Sequence, residues 1–420
     1  MSSQYGKSQG VRDLICPKPE GSRGAMLRTF IFATLSLVCI FATAGSPIPL
    51  YNIYKSEDGL TNAHLGMVSV GYFLAAAISL LFLGRLSNHL GRRPVCIAAL
   101  VTAGASCIVL AASHGAVALL IARVLQGLAC GLGSTALGAY VVDTAPQKPA
   151  WLKAVITGSA PMIGLPIGAF ACGALAEYGP MPRILVFVII ASVLSVCTLL
   201  IFSSPETMVR SRGIRRSLRP RLQVPAGFGR LLFAAGCSFV ATWSIGGFYQ
   251  AFGSSVTADY LGTNSAVTAA ATFACVMILN PLGAPLVGRL SPSWGMRVGM
   301  AVFVLALAGI IVSLRVGLVI PFMLASLFIG LAQGMASTAA IRALLQSAAV
   351  EERAGLLASI YLISYTGVAL PAIVAGQLAD RFDLFQIAAG YVTLGVIASL
   401  ATVLALATSD FKAPEKKAAC

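Results

Sequence analysis

Gly84-Arg85-Leu86-Ser87-Asn88-His89-Leu90-Gly91-Arg92-Arg93-Pro94 is a short polar stretch between two long apolar runs, rich in bases and without an acid. About two hundred residues later a second copy follows, Gly288-Arg289-Leu290-Ser291-Pro292-Ser293-Trp294-Gly295-Met296-Arg297. Aligned at the first glycine, Gly-Arg-Leu-Ser recurs in order, and a later glycine and arginine also match (Gly91 with Gly295, Arg93 with Arg297). A matched basic loop at the same place in each half is what a duplicated membrane protein shows. Gln126-Gly127 and Gln333-Gly334 keep nearly the same offset, so the halves read as parallel repeats.

The composition names the solvent. Of 420 residues, 58% are hydrophobic and 10% charged, with mean hydropathy +0.88. A soluble domain carries about 25% charged residues, so this chain has too little polar surface to face water. A helix needs about 20 apolar residues to cross hydrocarbon. Twelve such runs lie near 28–50, 65–84, 95–112, 115–141, 151–177, 183–203, 229–251, 265–287, 298–316, 317–345, 353–379 and 386–408. The expected fold is an all-α polytopic membrane protein, twelve transmembrane helices in two six-helix pseudo-repeats. Its parts are an N-tail (1–27), a first bundle (28–203), a basic linker (204–228), a second bundle (229–408) and a C-tail (409–420). The first run follows basic residues and contains Ala42-Thr43-Ala44, as a cleaved signal peptide would. Removing it would break the symmetry of the halves.

A net charge of +15 would suggest nucleic acid in a soluble chain. Its placement argues otherwise. Assigned to alternating sides of the spans, nearly all of the 29 Lys and Arg fall on one side; the exceptions are Lys55, Arg183, Arg315 and Arg381 opposite, and Arg123 inside a span. Basic loops stay cytoplasmic and meet anionic lipid. Both termini are therefore expected inside, with the lipid bilayer and not nucleic acid as partner. None of the ten cysteines shows zinc-like pairing, and no metal, disulfide or cofactor is expected.

The chain resembles the major facilitator superfamily across residues 28–408. In that family the loop between helices two and three reads roughly G-x-L-x-D-R-x-G-R-R; this sequence matches at Gly84, Leu86, Gly91, Arg92 and Arg93, with a weaker echo at Gly288 and Arg289. The resemblance implies two bundles that rock about a central cavity lined mainly by helices 1, 4, 7 and 10. It also implies a small-molecule substrate, a monomer and a bacterial inner membrane. The family's acid and first arginine are replaced here by Asn88 and His89. The acid is thought to latch the halves on the cytoplasmic side. Asn88 accepts hydrogen bonds without the charge that strengthens them, so a weaker latch is expected.

Arg123 is the one charge deep inside a span, about 12 Å down its helix from Gly115 at about 1.5 Å per residue. A buried cation is costly and usually faces a cavity or a partner. Arg123-Val124-Leu125-Gln126-Gly127 resembles the family's R-x-x-Q-G on helix 4, tied there to proton coupling. Pro161-x-x-Gly164 on helix 5 loosely resembles part of an antiporter signature. Against proton coupling, no carboxylate lies at mid-depth; Asp143, at a span end, is the best remaining candidate. The expected cavity lining is Tyr51, Gln126, Trp243, Tyr249, Gln250, Gln333 and Ser337, with Asn280 and Tyr365 nearby. Mixed aromatic and amide surfaces suit amphiphilic ligands.

The leading reading is export of a small amphiphilic drug-like or metabolic compound in exchange for protons. The rival is proton-independent or symport movement of a small metabolite, anions included, for which Arg123 would be the counter-charge. An enzyme would need convergent His, Asp, Glu or Ser groups, but His64, His89 and His114 lie in separate loops. A phosphate-binding G-x-x-x-x-G-K-[ST] loop does not occur, which argues against ATP-driven transport.

Overall fold

The computed structural model describes residues 23–149, 151–209, 228–349 and 352–407. Most of the tails and of the 204–228 linker falls outside these. Among the described residues, twelve helices have the length and apolarity to cross a membrane: α1 (Arg23–Asp58), α2 (Asn62–Leu83), α3 (Arg92–Ala111), α4 (Gly115–Thr144), α5 (Leu152–Tyr178), α6 (Pro182–Phe202), α7 (Gly229–Asp259), α8 (Ala266–Val287), α9 (Pro292–Val316), α10 (Val319–Gln346), α11 (Gly355–Leu378) and α12 (Leu384–Ala407). Lipid offers the backbone no hydrogen-bond partners, so each span satisfies its own as a helix.

Side chains and glycines close the ends. Thr61 caps α2 in a reciprocal box with His64, Ser265 caps α8 and Ser291 caps α9, while Gly317 in the left-handed region stops α9. In the first loop copy Ser87–Leu90 forms a helical turn, and Gly91, at φ +100°, swings the chain into α3. In the second copy Gly288, Arg289, Leu290 and the cap Ser291 alone separate the helical segments, because Pro292 already opens α9. The repeats share residues but not local shape.

Two spans run further than their apolar stretches. α1 passes Pro47 and Pro49 through a 3₁₀ turn (Ile48–Leu50) and continues to Asp58. α7 continues through Ser254, Ser255 and Thr257 to Asp259, a stretch the sequence reads as loop. The Thr257 hydroxyl bonds back to Gly253 O (2.8 Å), and Asn52 of α1 donates to Ser254 O (2.8 Å). These polar residues are hidden against the other half, so water is not needed to solvate them.

Within a half, small residues bring helix axes close. A Cβ on Gly168 (α5) would overlap the carbonyl of Ala42 (α1), and one on Gly334 (α10) the carbonyl of Asn280 (α8). Between halves, α2 packs on α11 and α5 on α8. A Cβ on Gly66 would lie 2.9 Å from Gly376 Cα, and one on Gly173 2.7 Å from Ala266 O. All four residues lie at the membrane face opposite the start of α1, called here the far end; the other is the basic end. Polar contacts across the seam gather there too. Lys55 Nζ reaches Ser255 Oγ (3.3 Å) and Asp259 (3.9 Å), and Ser265 and Val267 reach Glu177. The far end is closed.

Candidate functional site

The site begins at the break in α1. Pro47 has no N–H, so the Thr43 carbonyl loses its helical donor four residues on. Ser46 Oγ (2.8 Å) and Gln126 Nε2 (2.8 Å) take its place. The neighbouring Ala44 carbonyl accepts from Arg123 Nη1 (2.7 Å), which also donates to Gln126 Oε1 (2.8 Å). One turn of α4 thus clasps two carbonyls of a neighbouring helix. Gly127 completes the arrangement: a Cβ there would overlap the Tyr72 carbonyl, and its absence lets α2 approach until the Tyr72 ring lies 4.6 Å from the Arg123 guanidinium carbon. Such cation–π contact returns about 0.5–2 kcal/mol.

Arg123 is 0% exposed, yet its Nε and Nη2 have no partner. The hydroxyls of Tyr51 and Ser69 are buried in the same condition. Ion pairs among the described residues lie elsewhere: Lys55 with Asp259, Arg92 with Asp143, and Arg183 with Glu57 and Asp58. All are near the membrane faces, and none neutralises Arg123.

The second half supplies rings and amides. Trp243 (α7) is half-buried, with Tyr365 (α11) edge-on at 5.3 Å and Phe239 at 6.4 Å. Tyr361, one turn before Tyr365 on the same helix, is 41% exposed, and no motif marks it in the sequence. Tyr249 is buried, its hydroxyl 2.5 Å from Ser326 of α10 and its ring 5.6 Å from Phe322. Gln250 and Gln333 are buried, each with its Oε1 unpartnered. Asn280 opens a 3₁₀ turn that breaks α8, and Ser337 bonds within α10 to Gly334 O. The structure therefore joins Arg123 and Gln126 at the α1 break and Trp243 with Tyr365, but commits Tyr249 to packing inside its own half.

Asp143 sits at the basic end, not beside Arg123. Its carboxylate accepts from Arg92 Nε (2.9 Å) and Thr207 Oγ1 (3.2 Å). Arg92 also donates to Ser87 Oγ (2.9 Å) and Asn88 Oδ1 (2.6 Å). Glu206, just past α6, accepts from the backbone N–H of Arg92 (2.7 Å) and Arg93 (3.1 Å) at the first turn of α3. Its carboxylate occupies the space a Cβ on Gly91 would need, and Arg93 lies over the Phe202 ring (4.8 Å). These contacts pin the loop motif to its own half. Arg289 of the second copy is exposed, and there Arg342 of α10 donates to the carbonyls of Val287, Gly288 and Leu290 instead.

A family model described as Major Facilitator Superfamily matches residues 33–313. Quinolone resistance protein NorA of Staphylococcus aureus is 26% identical over 139 residues, 32% of this chain and 36% of that protein. The class B tetracycline resistance protein of Escherichia coli is 30% identical over 159 residues, 37% of each. Either match spans little more than a third of the relative's length. Among solved structures, the nucleoside transporter NupG aligns with TM-score 0.71 at 14% identity, covering 90% of this chain and 99% of that one. A bacterial homolog of the human lysosomal transporter Spinster, in an inward-facing and occupied conformation, aligns with TM-score 0.72 at 15% identity, covering 93% and 98%. At these identities the structural likeness shows the fold.

Proposed function

This chain belongs to the major facilitator superfamily, and from that premise we propose that it exports a small amphiphilic compound from the cytoplasm in exchange for protons. The two halves rock about the central site in a bacterial inner membrane, with both termini and the basic end in the cytoplasm. With the far end closed, the substrate in this reading enters from the basic side, where an exporter loads. Trp243, Tyr361 and Tyr365 offer ring faces for a flat apolar body, and buried amides such as Gln333 offer polar handles. The match to two resistance proteins supports outward transport.

The observation that carries the coupling half of this reading is Arg123. Burying a cation without an anion costs several kcal/mol even after relaxation, and a purely structural strut would be served by a neutral donor. The guanidinium instead ties α4 to the Ala44 carbonyl beside the α1 break, so any change in its charge environment is felt by the helix whose far portion meets α7. The same observation favours a second reading. With two nitrogens lacking hydrogen-bond partners and no carboxylate paired with it among the described residues, Arg123 would serve as a counter-charge for an anionic substrate.

Purified protein in liposomes with an enclosed pH-sensitive dye separates the two. A quinolone, a tetracycline and a set of small organic acids are presented to wild type and Arg123→Ala. A substrate-triggered pH change lost in the variant supports antiport. Flux without proton movement, driven by an anion gradient, overturns it in favour of anion transport.

A further inference from the structure

Glu177 lies in the last turn of α5, and its carboxylate bonds outside its own half. Its Oε2 accepts from Ser265 Oγ (2.6 Å) and from the backbone N–H of Val267 (3.0 Å). Both donors belong to the opening turn of α8. Ser265 is the cap of that helix, accepting from Thr268 N (3.1 Å) while donating to Glu177. The first turn of any helix carries N–H groups without internal partners and a partial positive charge. A carboxylate there makes charge-assisted bonds, stronger than neutral ones. Gly173, one turn back on α5, is what brings the two helices together.

We propose that Glu177 is the latch of the far end: a carboxylate from the first half that caps α8 in the second and so holds the carrier with its site facing the basic side. This rests on the alternating-access reading. The other polar contacts across the seam are neutral or longer. Asn52 meets a carbonyl, Lys55 meets a hydroxyl, and Lys55 and Asp259 stand 3.9 Å apart on an exposed edge. If α5 and α8 part, as they must for the far end to open, both Glu177 bonds are lost together. A contact made in one orientation and absent in the other shifts the balance by its full differential free energy. Because Glu177 is exposed on its remaining side, water and salt moderate the effect. Its removal is expected to raise the far-open population by several-fold to about tenfold.

Hydrogen–deuterium exchange of the full chain in lipid nanodiscs tests this. Glu177→Gln and Ser265→Ala should each speed exchange at the far ends of α5 and α8 and also along the distant α2–α11 seam, with slower exchange at the basic end. Combining them should add little, since both remove one connection. Glu57→Gln is the control; it deletes a far-end carboxylate whose partner, Arg183, lies in the same half. Gly66→Trp, a wedge where Gly66 meets Gly376, should open the far end by force. If Glu177→Gln changes exchange only around Val267 while Gly66→Trp shifts both ends, Glu177 is a local cap and the proposal fails. If even the wedge produces no opposed change at the two ends, alternating access itself fails. If Glu57→Gln matches Glu177→Gln, the effect is general charge loss and the latch is refuted.

Discussion

Replacing Arg123 with methionine is expected to silence transport while leaving the fold nearly as stable as before. Keeping the guanidinium buried costs several kcal/mol in desolvation. Against this stand two charge-assisted hydrogen bonds, to Ala44 O and Gln126 Oε1, at about 1.5–3 kcal/mol each. The Tyr72 contact contributes a further ~0.5–2 kcal/mol. Methionine removes the desolvation cost together with these contacts and fills much of the same volume, while leaving Ala44 O and Gln126 Oε1 one donor short, so the net change should stay within about 2 kcal/mol of zero. Gln126→Leu is the contrasting case. It keeps the cation buried but deletes one of its acceptors and a donor to Thr43 O, a loss of about 2–4 kcal/mol. For a unit the size of one half, each kcal/mol moves the melting temperature by about 2–4 °C. Thermal denaturation of detergent-solubilised protein, followed by the surviving monodisperse fraction, should therefore rank wild type and Arg123→Met together and Gln126→Leu clearly below. Flux in liposomes should be lost in both. If Arg123→Met proves the less stable of the two, Arg123 is a structural strut and the argument for its functional burial is wrong.

Gly127→Ala should destabilise strongly, because the new methyl meets the Tyr72 backbone and Ala75; yield of monodisperse protein measures it, and near-normal yield would show that α2 and α4 can part freely. Trp243→Ala and Tyr365→Ala should raise the half-saturating concentration of an aromatic substrate about tenfold while sparing the fold, since stacked aromatic contacts are worth about 0.5–1.5 kcal/mol apiece; unchanged saturation would move the binding surface elsewhere. Asn88→Asp, which gives Arg92 a second acid beside Asp143, should shift the resting population toward the far-open state, read as lower accessibility of the basic end to an impermeant label. Unaltered labelling would remove Asn88 from the switching machinery.

The architecture was largely legible in the chain because lipid leaves the backbone few choices. Twelve apolar runs became twelve helices, and the repeated Gly-Arg-Leu-Ser loop fell where the symmetry required. Arg123 stood out for the same reason, as a charge in hydrocarbon. What hydropathy cannot see is polarity that another helix satisfies. Ser254 and Ser255 read as loop because nothing local announces Asn52 or Lys55 of α1 as their partners. Glu206 is a lone acid before an arginine run, and only the fold reveals that it holds the start of α3. Asp143 stands out in the sequence as the best remaining carboxylate, at a span end, whereas its partner Arg92 comes from the loop motif itself. Tyr72 carries no motif; it meets Arg123 because Gly127 lacks a side chain.

The glycines also divide the molecule into regions of unequal freedom to change. At Gly168 and Gly334 one backbone rests on another, and any added atom must push two helices apart. At Gly104, Gly158 and Gly246 a new Cβ would meet nothing within 4 Å. Heritable variation can therefore accumulate on the open surfaces while the contact lines inside each half stay fixed. A lineage carrying this scaffold can vary such open positions one residue at a time, without first having to rediscover how to fold.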